Sequence, residues 1–575
     1  MKRHLYIIIL ALLIAVGLEV RAQSPTPTPS AGDVQNVTPE NIKGVPAIAE
    51  NYRSENRTLP DLGRVGVDMT DQKPLTLRET IELALENNRD IEVSRKTSTI
   101  AEWDLRGTGG IFQPRLSGQS YYDRSVTPNV SIFSSNQKTT QGMIVGNATV
   151  QGFVPRFGTV LAGSFNNSRM TSDNSINVLS PQYNSSLGFS LTQPLFRGRK
   201  FDAGRRTIEI AKRNIELTDT QFRQRSIEVV ALVEKAYWDL AYALRNLQVQ
   251  RDGVRDAKSQ LEHNRRLVDE GQLAPIDIVA AETQVANFEQ AVYDALNVVN
   301  TTENALKNLI SPNRNNAIWR QALTPVESVE KEIPKTTLTE AMELAIGNRP
   351  ELEINKVQKD INLLDQRLYR DQKKPQIDFT ASYTSAGIGG SQSPSFNPSF
   401  PTACTTDPTS PACAQQQENL ALLTGSPFRG VFLNRYPVLR FGINFNIPLF
   451  GDKSASAALG RSKVEAERLD TQREQIEQGI QVEVRNALQS VRTAEGRLRA
   501  AAIARENTAK QYESEQRKLD EGQSDVYRVL ERQTALAAAR SNELRARTEL
   551  NKAIAELERA TGNSLKANDI EAKIK

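Results

Sequence analysis

The segment from Leu439 to Ile447 alternates strictly between apolar and polar side chains. Its apolar positions are Leu439, Phe441, Ile443, Phe445 and Ile447. A strand with one apolar and one polar face is typical of a membrane barrel wall. About 70 residues of proline-free helical pattern follow Gly451, too many for one small globular core. This segment therefore predicts a barrel strand that continues into a long helical tube.

Similar alternation predicts further strands in both halves of the chain. Residues 377–383 form a second strand in the later half, and residues 183–191 form a strand in the earlier half with a weaker partner near Leu116. Even-numbered polar residues are expected to face the barrel lumen. A hairpin-like segment from Met143 to Asn166 turns near Gly158. The pattern leaves open whether this hairpin joins the wall or forms an external flap.

About four strands per chain are too few to close a barrel, since roughly eight are needed even for one filled with side chains. A membrane does not tolerate open sheet edges, so several copies must complete the wall together. The alternative interpretation is a soluble sandwich with its apolar face inward.

Heptad spacing of apolar residues predicts two long antiparallel helical hairpins. The first helix carries Val233, Leu240, Leu247, Val254, Leu261 and Val268, and its return helix carries Ile278, Val285, Val292, Val299 and Leu306. The later half repeats the design with Ile480, Ala487, Ala494 and Ala501, then Leu536, Leu550 and Leu557. At 1.5 Å per residue, about 65 helical residues would span roughly 100 Å. Taken alone, the heptads would also suit a coiled-coil stalk with no transport role.

Landmarks of the earlier half recur in the later half, which indicates an internal duplication. Thr76-Leu77-Arg78-Glu79 recurs as Thr337-Leu338-Thr339-Glu340, and both begin a helix with a capping box. Four further landmarks pair in the same order: Pro114 with Pro375, Pro194 with Pro448, Gly271 with Gly522, and Gln272 with Gln523. The predicted order in each half is helix, strand, loop, strand, long helix and return helix. We assign the repeats to residues 71–325 and 326–575.

The N-terminus predicts export from the cytoplasm. A basic segment and an apolar run of about 14 residues lead to a small residue, so cleavage is expected after Ala22, giving a signal peptide at 1–22. The alternative is a retained N-terminal anchor, for which the run is short. Residues 23–70 are rich in Pro, Thr, Ser and Asn and predict a disordered extension. Cys404 and Cys413 are expected to form a disulfide in an oxidising compartment, with two free thiols as the alternative.

Charge and motif content argue against several function classes. The net charge of +4 gives no reason to expect a nucleic-acid partner. No Walker loop, GxSxG or HExxH motif occurs, and the two histidines include only one, His263, beyond the signal peptide. We therefore expect no enzyme activity, no metal site and no cofactor.

The ordered motifs resemble the TolC-like outer-membrane efflux proteins of Gram-negative bacteria. They are the paired LxEaxxLAxxNxP-like helices starting at Leu77 and Leu338, the QPLF and IPLF junctions ending at Phe196 and Phe450, and the Gly-Gln tips followed by IDIVAAETQ and YRVLERQT. The likeness covers about residues 76 to 562.

The resemblance implies a fold and a set of partners. It implies a homotrimer with a 12-stranded barrel in the outer membrane, four strands from each copy, above a periplasmic helical tunnel. It implies docking of a periplasmic adaptor at the tips, Gly271-Gln272 and Gly522-Gln523, and coupling to an inner-membrane pump or secretion ATPase. The four helix–strand junctions are then Pro114, Pro194, Pro375 and Pro448.

The resemblance also places a candidate gate just after the second tip. The family's two acidic positions fall on Arg528 and Glu531, with Asp525 as a further candidate, so a ring of paired Arg and Glu would replace a double acidic ring. Solvated charges on a helix face are the alternative. The expected function is a passive exit duct of a tripartite efflux or type I secretion system. A periplasm-spanning structural or adhesin protein is the alternative, and the sequence names neither the cargo nor the adaptor.

Overall fold

The computed structural model describes residues 63–128, 137–327, 333–396, 402–568 and 570. The predicted signal peptide, its cleavage site after Ala22 and most of the predicted extension lie outside these ranges. The first strand begins at Asp68. Regular structure therefore starts within the last residues of the segment predicted to be disordered.

Two structural classes account for most of the described chain, with helices in the majority. The strands are β1 (Asp68–Leu75), β2 (Arg115–Pro128), β3 (Lys138–Val154), β4 (Thr159–Ser172), β5 (Leu179–Pro194), β6 (Gln321–Pro325), β7 (Gln376–Gln392) and β8 (Tyr436–Asn446). The helices are α1 (Leu77–Asn87), α2 (Arg89–Gly109), α3 (Ala203–Asp269), α4 (Pro275–Ile310), α5 (Leu338–Asn348), α6 (Pro350–Gln372), α7 (Ala403–Thr406), α8 (Pro411–Leu423), α9 (Pro427–Phe432), α10 (Lys453–Asp520), α11 (Val526–Ala560) and α12 (Ser564–Ala567). Over the described ranges, no helix has the length and apolar content needed to cross a membrane.

The long helices form two antiparallel hairpins that pack side by side. Helices α3 and α10 have 67 and 68 residues, which corresponds to roughly 100 Å each. Both begin at an aspartate N-cap, Asp202 or Asp452, whose carboxylate accepts a backbone N–H three residues later. Helix α3 packs against α4 and α11, and α11 packs against α10. The order across this layer is therefore α4–α3–α11–α10.

The predicted heptad lines form the seams of these hairpins. Side chains at the centre of the first seam are buried: Val233, Leu240, Leu247, Val299 and Leu306. The second seam buries Ile480, Ala487, Ala494, Leu550 and Leu557. Alanine is frequent in the second seam, and its small side chain permits close approach of the two helices. The helical prediction is thus confirmed in period and in the buried face.

Six of the strands in the described residues form one antiparallel sheet, in the order β2-β3-β4-β5-β7-β8. The prediction of about four strands per chain is wrong. The segment that the sequence left unassigned forms β3 and β4, and both are paired within the sheet along their whole lengths. The earlier repeat thus supplies four strands and the later repeat two. Strands β1 and β6 form a separate parallel pair.

One face of the sheet is apolar and exposed. Phe441 and Phe445 are 68% and 73% exposed, so they are not packed in the chain's own core as a soluble sandwich requires. The expectation that even-numbered residues form the polar face holds for β4, β5, β7 and β8. It is wrong for β2 and β3, whose exposed apolar residues, such as Leu116, Ile144 and Val150, are mainly even-numbered. The four-residue turn after Val154 pairs it with Thr159, which sets even positions opposite odd ones.

A compact loop between β7 and β8 covers part of the same face. Cys404 and Cys413 form a disulfide in it, with Cα atoms 4.5 Å apart. Helix α9 lies directly on β7, where Ser385 Oγ donates to the Val431 carbonyl at 2.7 Å. Two glycines, Gly387 and Gly389, leave room for this close backbone approach.

Candidate conduction path and gate

The polar face of the sheet is a candidate lumen lining. It consists mainly of Ser, Thr, Asn and Gln side chains, with few charges. Neighbouring strands are linked there by side-chain hydrogen bonds, such as Asn166 Nδ2 to Ser186 Oγ at 3.3 Å. Uncharged hydrogen-bonding groups keep water in contact with a surface without attracting one sign of ion. A channel lined in this way would be wet and weakly charge-selective.

The four proline junctions lie where the sheet meets the helices. Pro114 and Pro375 immediately precede β2 and β7, Pro194 ends β5, and Pro448 follows β8 by two residues. Asp371, at the end of α6, links two of these connections, because its buried carboxylate accepts Gly198 N–H at 2.6 Å. This hydrogen bond connects two of the junctions and fixes the position of the sheet relative to the helices.

The far ends of the two helical hairpins have matching caps. Gly271 and Gly522 have φ angles of +77° and +74°, a left-handed conformation that glycine adopts without strain. The following glutamines, Gln272 and Gln523, donate their backbone N–H to carbonyls five residues earlier, at 2.8 and 2.7 Å. Each tip is thus a hydrogen-bonded turn that fixes the position at which the return helix begins.

The three candidate gate residues have distinct roles within one chain. Asp525 is the N-cap of α11 and accepts the Arg528 backbone N–H at 2.9 Å. The Arg528 guanidinium also lies 3.3 Å from the Asp525 carboxylate, and both side chains are more than half exposed. Glu531 is exposed, and in the described part of the chain no ion pair to it is found. Arg528 is therefore paired inside the protomer with Asp525, while Glu531 is available to another copy.

A further acid at the second tip, Glu515, was not predicted from the sequence. Glu515 accepts a hydrogen bond from Ser524 Oγ at 2.5 Å and lies 3.4 Å from Lys518 Nζ. The hydrogen bond from the Ser524 hydroxyl lowers the pKa of Glu515, and the positive charge of Lys518 lowers it further. The pair bridges the turn across nine residues, so local spacing gives no signal for it.

The two tips of one chain are packed together. Leu273 of the first tip packs against a cluster formed by Leu519, Val526, Val529 and Leu530 of the second. His263 Nε2 lies 3.1 Å from the Asp520 carboxylate, and Gln284 Nε2 donates to Thr534 Oγ1 at 2.6 Å. His263, which the sequence left without a role, therefore joins the hairpins. Movement of one tip requires movement or separation of the other.

Exposed apolar side chains stand beside both tips. Ile276 and Tyr527 are 68% and 73% exposed, and Val279 is also exposed. Ile276 and Tyr527 lie in the first turn of the two return helices, and Val279 lies one turn after Ile276. Docking was predicted at the Gly-Gln turns themselves and not at these residues, although their apolar character at a helix start is visible in the sequence.

Across the residues that the structure describes, no three His, Cys, Asp or Glu side chains are arranged to hold a metal ion. At the tips, Asp525, Arg528 and Glu515 are instead held by a helix cap, hydrogen bonds and ion pairs.

Solved structures with the same fold include outer-membrane channels. The chain is similar to CusC (TM-score 0.59, 15% identity, covering 88% of this chain and 99% of that one). It is also similar to the outer-membrane channel OprN (0.58, 14%, 89% and 98%) and to the CmeC outer membrane channel of Campylobacter jejuni (0.57, 16%, 89% and 94%). No curated protein sequence gives a significant match.

The family model for outer membrane efflux proteins matches residues 145–311 and 341–563, about two thirds of the chain. The two matched segments fall within the predicted repeats, residues 71–325 and 326–575. The chain belongs to the outer membrane efflux protein family, and its place is the outer membrane of a Gram-negative cell, above the periplasm.

Proposed function

We propose that three copies of this chain form a passive exit duct of a tripartite efflux or type I secretion system. The observation that carries the proposal is a sheet with one exposed apolar face and one polar face, continuous with helical hairpins of roughly 100 Å. The apolar face would contact outer-membrane lipid, and the helices would line a tunnel through the periplasm. Energy would come from the inner-membrane partner.

Open edges in both layers support assembly from several copies. The sheet ends at β2 and β8, and the helical layer ends at α4 and α10. An unpaired strand edge in lipid leaves backbone groups without hydrogen-bond partners, at a cost of several kcal/mol each. Purified protein reconstituted in a planar bilayer is therefore expected to conduct as an oligomer, and a conducting monomer would contradict the proposal.

Removal of the tip charges is expected to open the duct. The double variant Arg528→Ala/Glu531→Ala keeps the α11 cap, because Asp525 accepts the backbone N–H that alanine retains. It removes the Glu531 charge, which is available to another copy, together with the Arg528 charge beside it, so single-channel conductance should rise about twofold or more. Unchanged conductance would exclude both residues from the gate. Glu495→Ala/Arg499→Ala removes an equivalent pair from the middle of α10 and should leave conductance unaltered.

Adaptor docking is expected to depend on the exposed apolar residues at the tips. Ile276→Ser/Tyr527→Ser should weaken binding of a purified periplasmic adaptor by about tenfold or more, because a few buried anchors such as tyrosine carry most of the binding energy of an interface. Val464→Ser, at a 63% exposed site near the opposite end of α10, is the matched control. Equal affinity for the tip variant and the control would exclude this surface as the docking site. Conductance separates docking from gating, since the tip variant should conduct normally.

The alternative function, a periplasm-spanning structural or adhesin protein, needs the hairpins but no open lumen. The polar sheet face favours the duct, because a structural stalk gains nothing from a second, hydrated face. A purified oligomer that never conducts, even with both tip charges removed, would favour the stalk.

A further inference from the structure

We infer that the wall of this channel is built from six strands per copy, so that three copies give an 18-stranded barrel and the β3–β4 hairpin is part of the lipid-facing wall. The inference rests on the trimeric duct proposed above. Four strands per copy would give 12.

The β3–β4 hairpin runs through the full depth of the sheet. Its turn lies at the level of the helix junctions, because Arg205 of α3 donates to the Pro155 carbonyl at 2.8 Å and Gln193 of β5 donates to the Phe157 carbonyl at 3.1 Å. At the opposite end, the Thr140 backbone N–H donates to Asp173 at 2.7 Å, next to the β4–β5 connection. The hairpin therefore spans the same height as the strands on either side of it.

The hairpin also lies in the plane of the wall. β3 pairs with β2 over 14 consecutive residues, and β4 pairs with β5 from Val160 to Met170. Most of its side chains continue both faces, with Asn167 and Arg169 as exceptions on the apolar face. Ile144, Val150, Leu161 and Phe165 extend the exposed apolar face, while Asn147, Asn166 and Ser168 extend the polar one. A flap outside the wall would have no reason to match both faces.

The two edges of the sheet have the right polarity to pair with each other. β2 leaves the helices and β8 returns to them, so β8 of one copy and β2 of the next are antiparallel. Both are exposed along nearly their whole lengths, with only Ser125 and Gly442 partly covered. Helix α9 covers β5 and β7 and leaves both edges open. Adding a hairpin preserves this polarity, since it adds an even number of strands.

The widened wall changes where the duct is narrowest. With strands about 4.8 Å apart and tilted by about 40°, 12 strands give a backbone diameter of about 24 Å and 18 strands about 36 Å. The β3–β4 hairpin adds no helix, so the width of the helical tunnel is unchanged. The barrel would then be a wide chamber, and passage of cargo would be limited by the tunnel and its tips.

The internal repeat predicts the register between copies. By the repeat, β8 corresponds to β5 and β2 corresponds to β7. Strands β5 and β7 are paired within one chain, with Ser190 opposite Ser382. Transfer of this pairing by the repeat places Asn444 of one copy opposite Tyr121 of the next, both on the polar face. Within one chain, Tyr121 is paired with Val145 of β3. If the hairpin lay outside the wall, β2 would instead be next to β5, and the β7–β8 pairing of Ser382 with Arg440 would place Ser186 opposite Tyr121.

Cysteine cross-linking in membranes of cells producing the full chain separates these arrangements. Tyr121→Cys is combined with Val145→Cys, Asn444→Cys or Ser186→Cys, and alone it is the control. Adjacent strands lie about 5 Å apart, within disulfide reach, whereas β2 and β5 separated by two strands lie about 14 Å apart. Expected results are an intrachain disulfide for the Val145 variant, cross-linked dimers and trimers for the Asn444 variant, and none for the Ser186 variant.

A disulfide in the Ser186 variant, or none in the Val145 variant, would overturn the placement of the hairpin. A native mass of two copies would overturn the count, because two copies close a 12-stranded barrel. Conductance tests the duct itself: a conducting trimer with a Tyr121–Ser186 cross-link would retain the proposed function and remove this inference.

Discussion

Replacement of Glu303 by alanine is expected to lower the free energy of unfolding by about 3–5 kcal/mol, because it leaves a buried lysine without its counter-charge. Glu303 and Lys307 have fully buried side chains, 3.5 Å apart on α4. The Glu303 carboxylate also accepts the Leu323 N–H of β6 at 2.8 Å and lies 2.9 Å from Arg64. One carboxylate thus holds three separate chain segments together.

The pH dependence of this variant tests the cause. Burial lowers the pKa of Lys307, which Glu303 partly offsets. Without Glu303 the folded-state pKa should fall further below the ordinary value of 10.5. The unfolded chain then binds more protons than the folded one, so stability should increase as the pH rises toward that value.

Thermal unfolding of the detergent-purified protein at neutral pH and near pH 9.5 measures both effects. Glu477→Ala, which removes an exposed i,i+4 partner of Arg473, is the control and should cost no more than about 0.5 kcal/mol. A Glu303→Ala variant as stable as this control would show that the buried pair contributes little. A loss of stability that does not diminish at high pH would point to lost packing and not to the Lys307 charge.

Gly387→Val is expected to detach α9 from the sheet. A Cβ at this position would overlap the Pro427 carbonyl and lie 2.8 Å from the Val431 N–H, both backbone groups of α9. Neither side can yield without breaking strand or helix, so the helix should move away. Trypsin cleavage at Arg429 in intact outer membranes should then accelerate about tenfold or more, because local unfolding exposes the backbone.

Gly152→Val is the matched control for this experiment. Gly152 lies on the same sheet face in β3, and a Cβ at this position would have no neighbouring atom within 4 Å, so valine should be accepted there. Equal cleavage of both variants would mean that α9 is not held by its contact with β7. The barrel itself should survive in both, which conductance checks.

Local sequence signals predicted the helical part of the molecule well. The capping boxes at Thr76 and Thr337 are both formed, with the threonine side chain and the glutamate three residues later exchanging hydrogen bonds. The glycine turns and heptad seams also lie where the pattern placed them. These features depend on residues within one or two helical turns of each other, so the linear sequence contains the whole determinant.

Signals in the strands were weaker for a physical reason. In β3 and β4, small residues such as Gly146, Ala148 and Gly163 interrupt the apolar face, and alternation loses contrast. Strand pairing also joins distant segments, as with β5 and β7, whose partners lie about 190 residues apart. The number of strands in the sheet therefore becomes clear only from their pairing in the folded structure.

The candidate gate region contains one feature set by local sequence and one set by a contact between distant residues. The N-cap role of Asp525 is local and was open to prediction from its position before α11. The contact of Leu273 with the second tip joins residues about 250 positions apart and was not.

By itself, the sequence determined two repeats, long paired helices with their turns, and a sheet with one apolar face, because each is specified by neighbours along the chain. Only the tertiary structure decided that six strands share one sheet, that Glu303 joins three segments, and that Leu273 of the first tip packs against the second tip. Those outcomes depend on which distant backbone edges and charges meet, and packing fixes that choice.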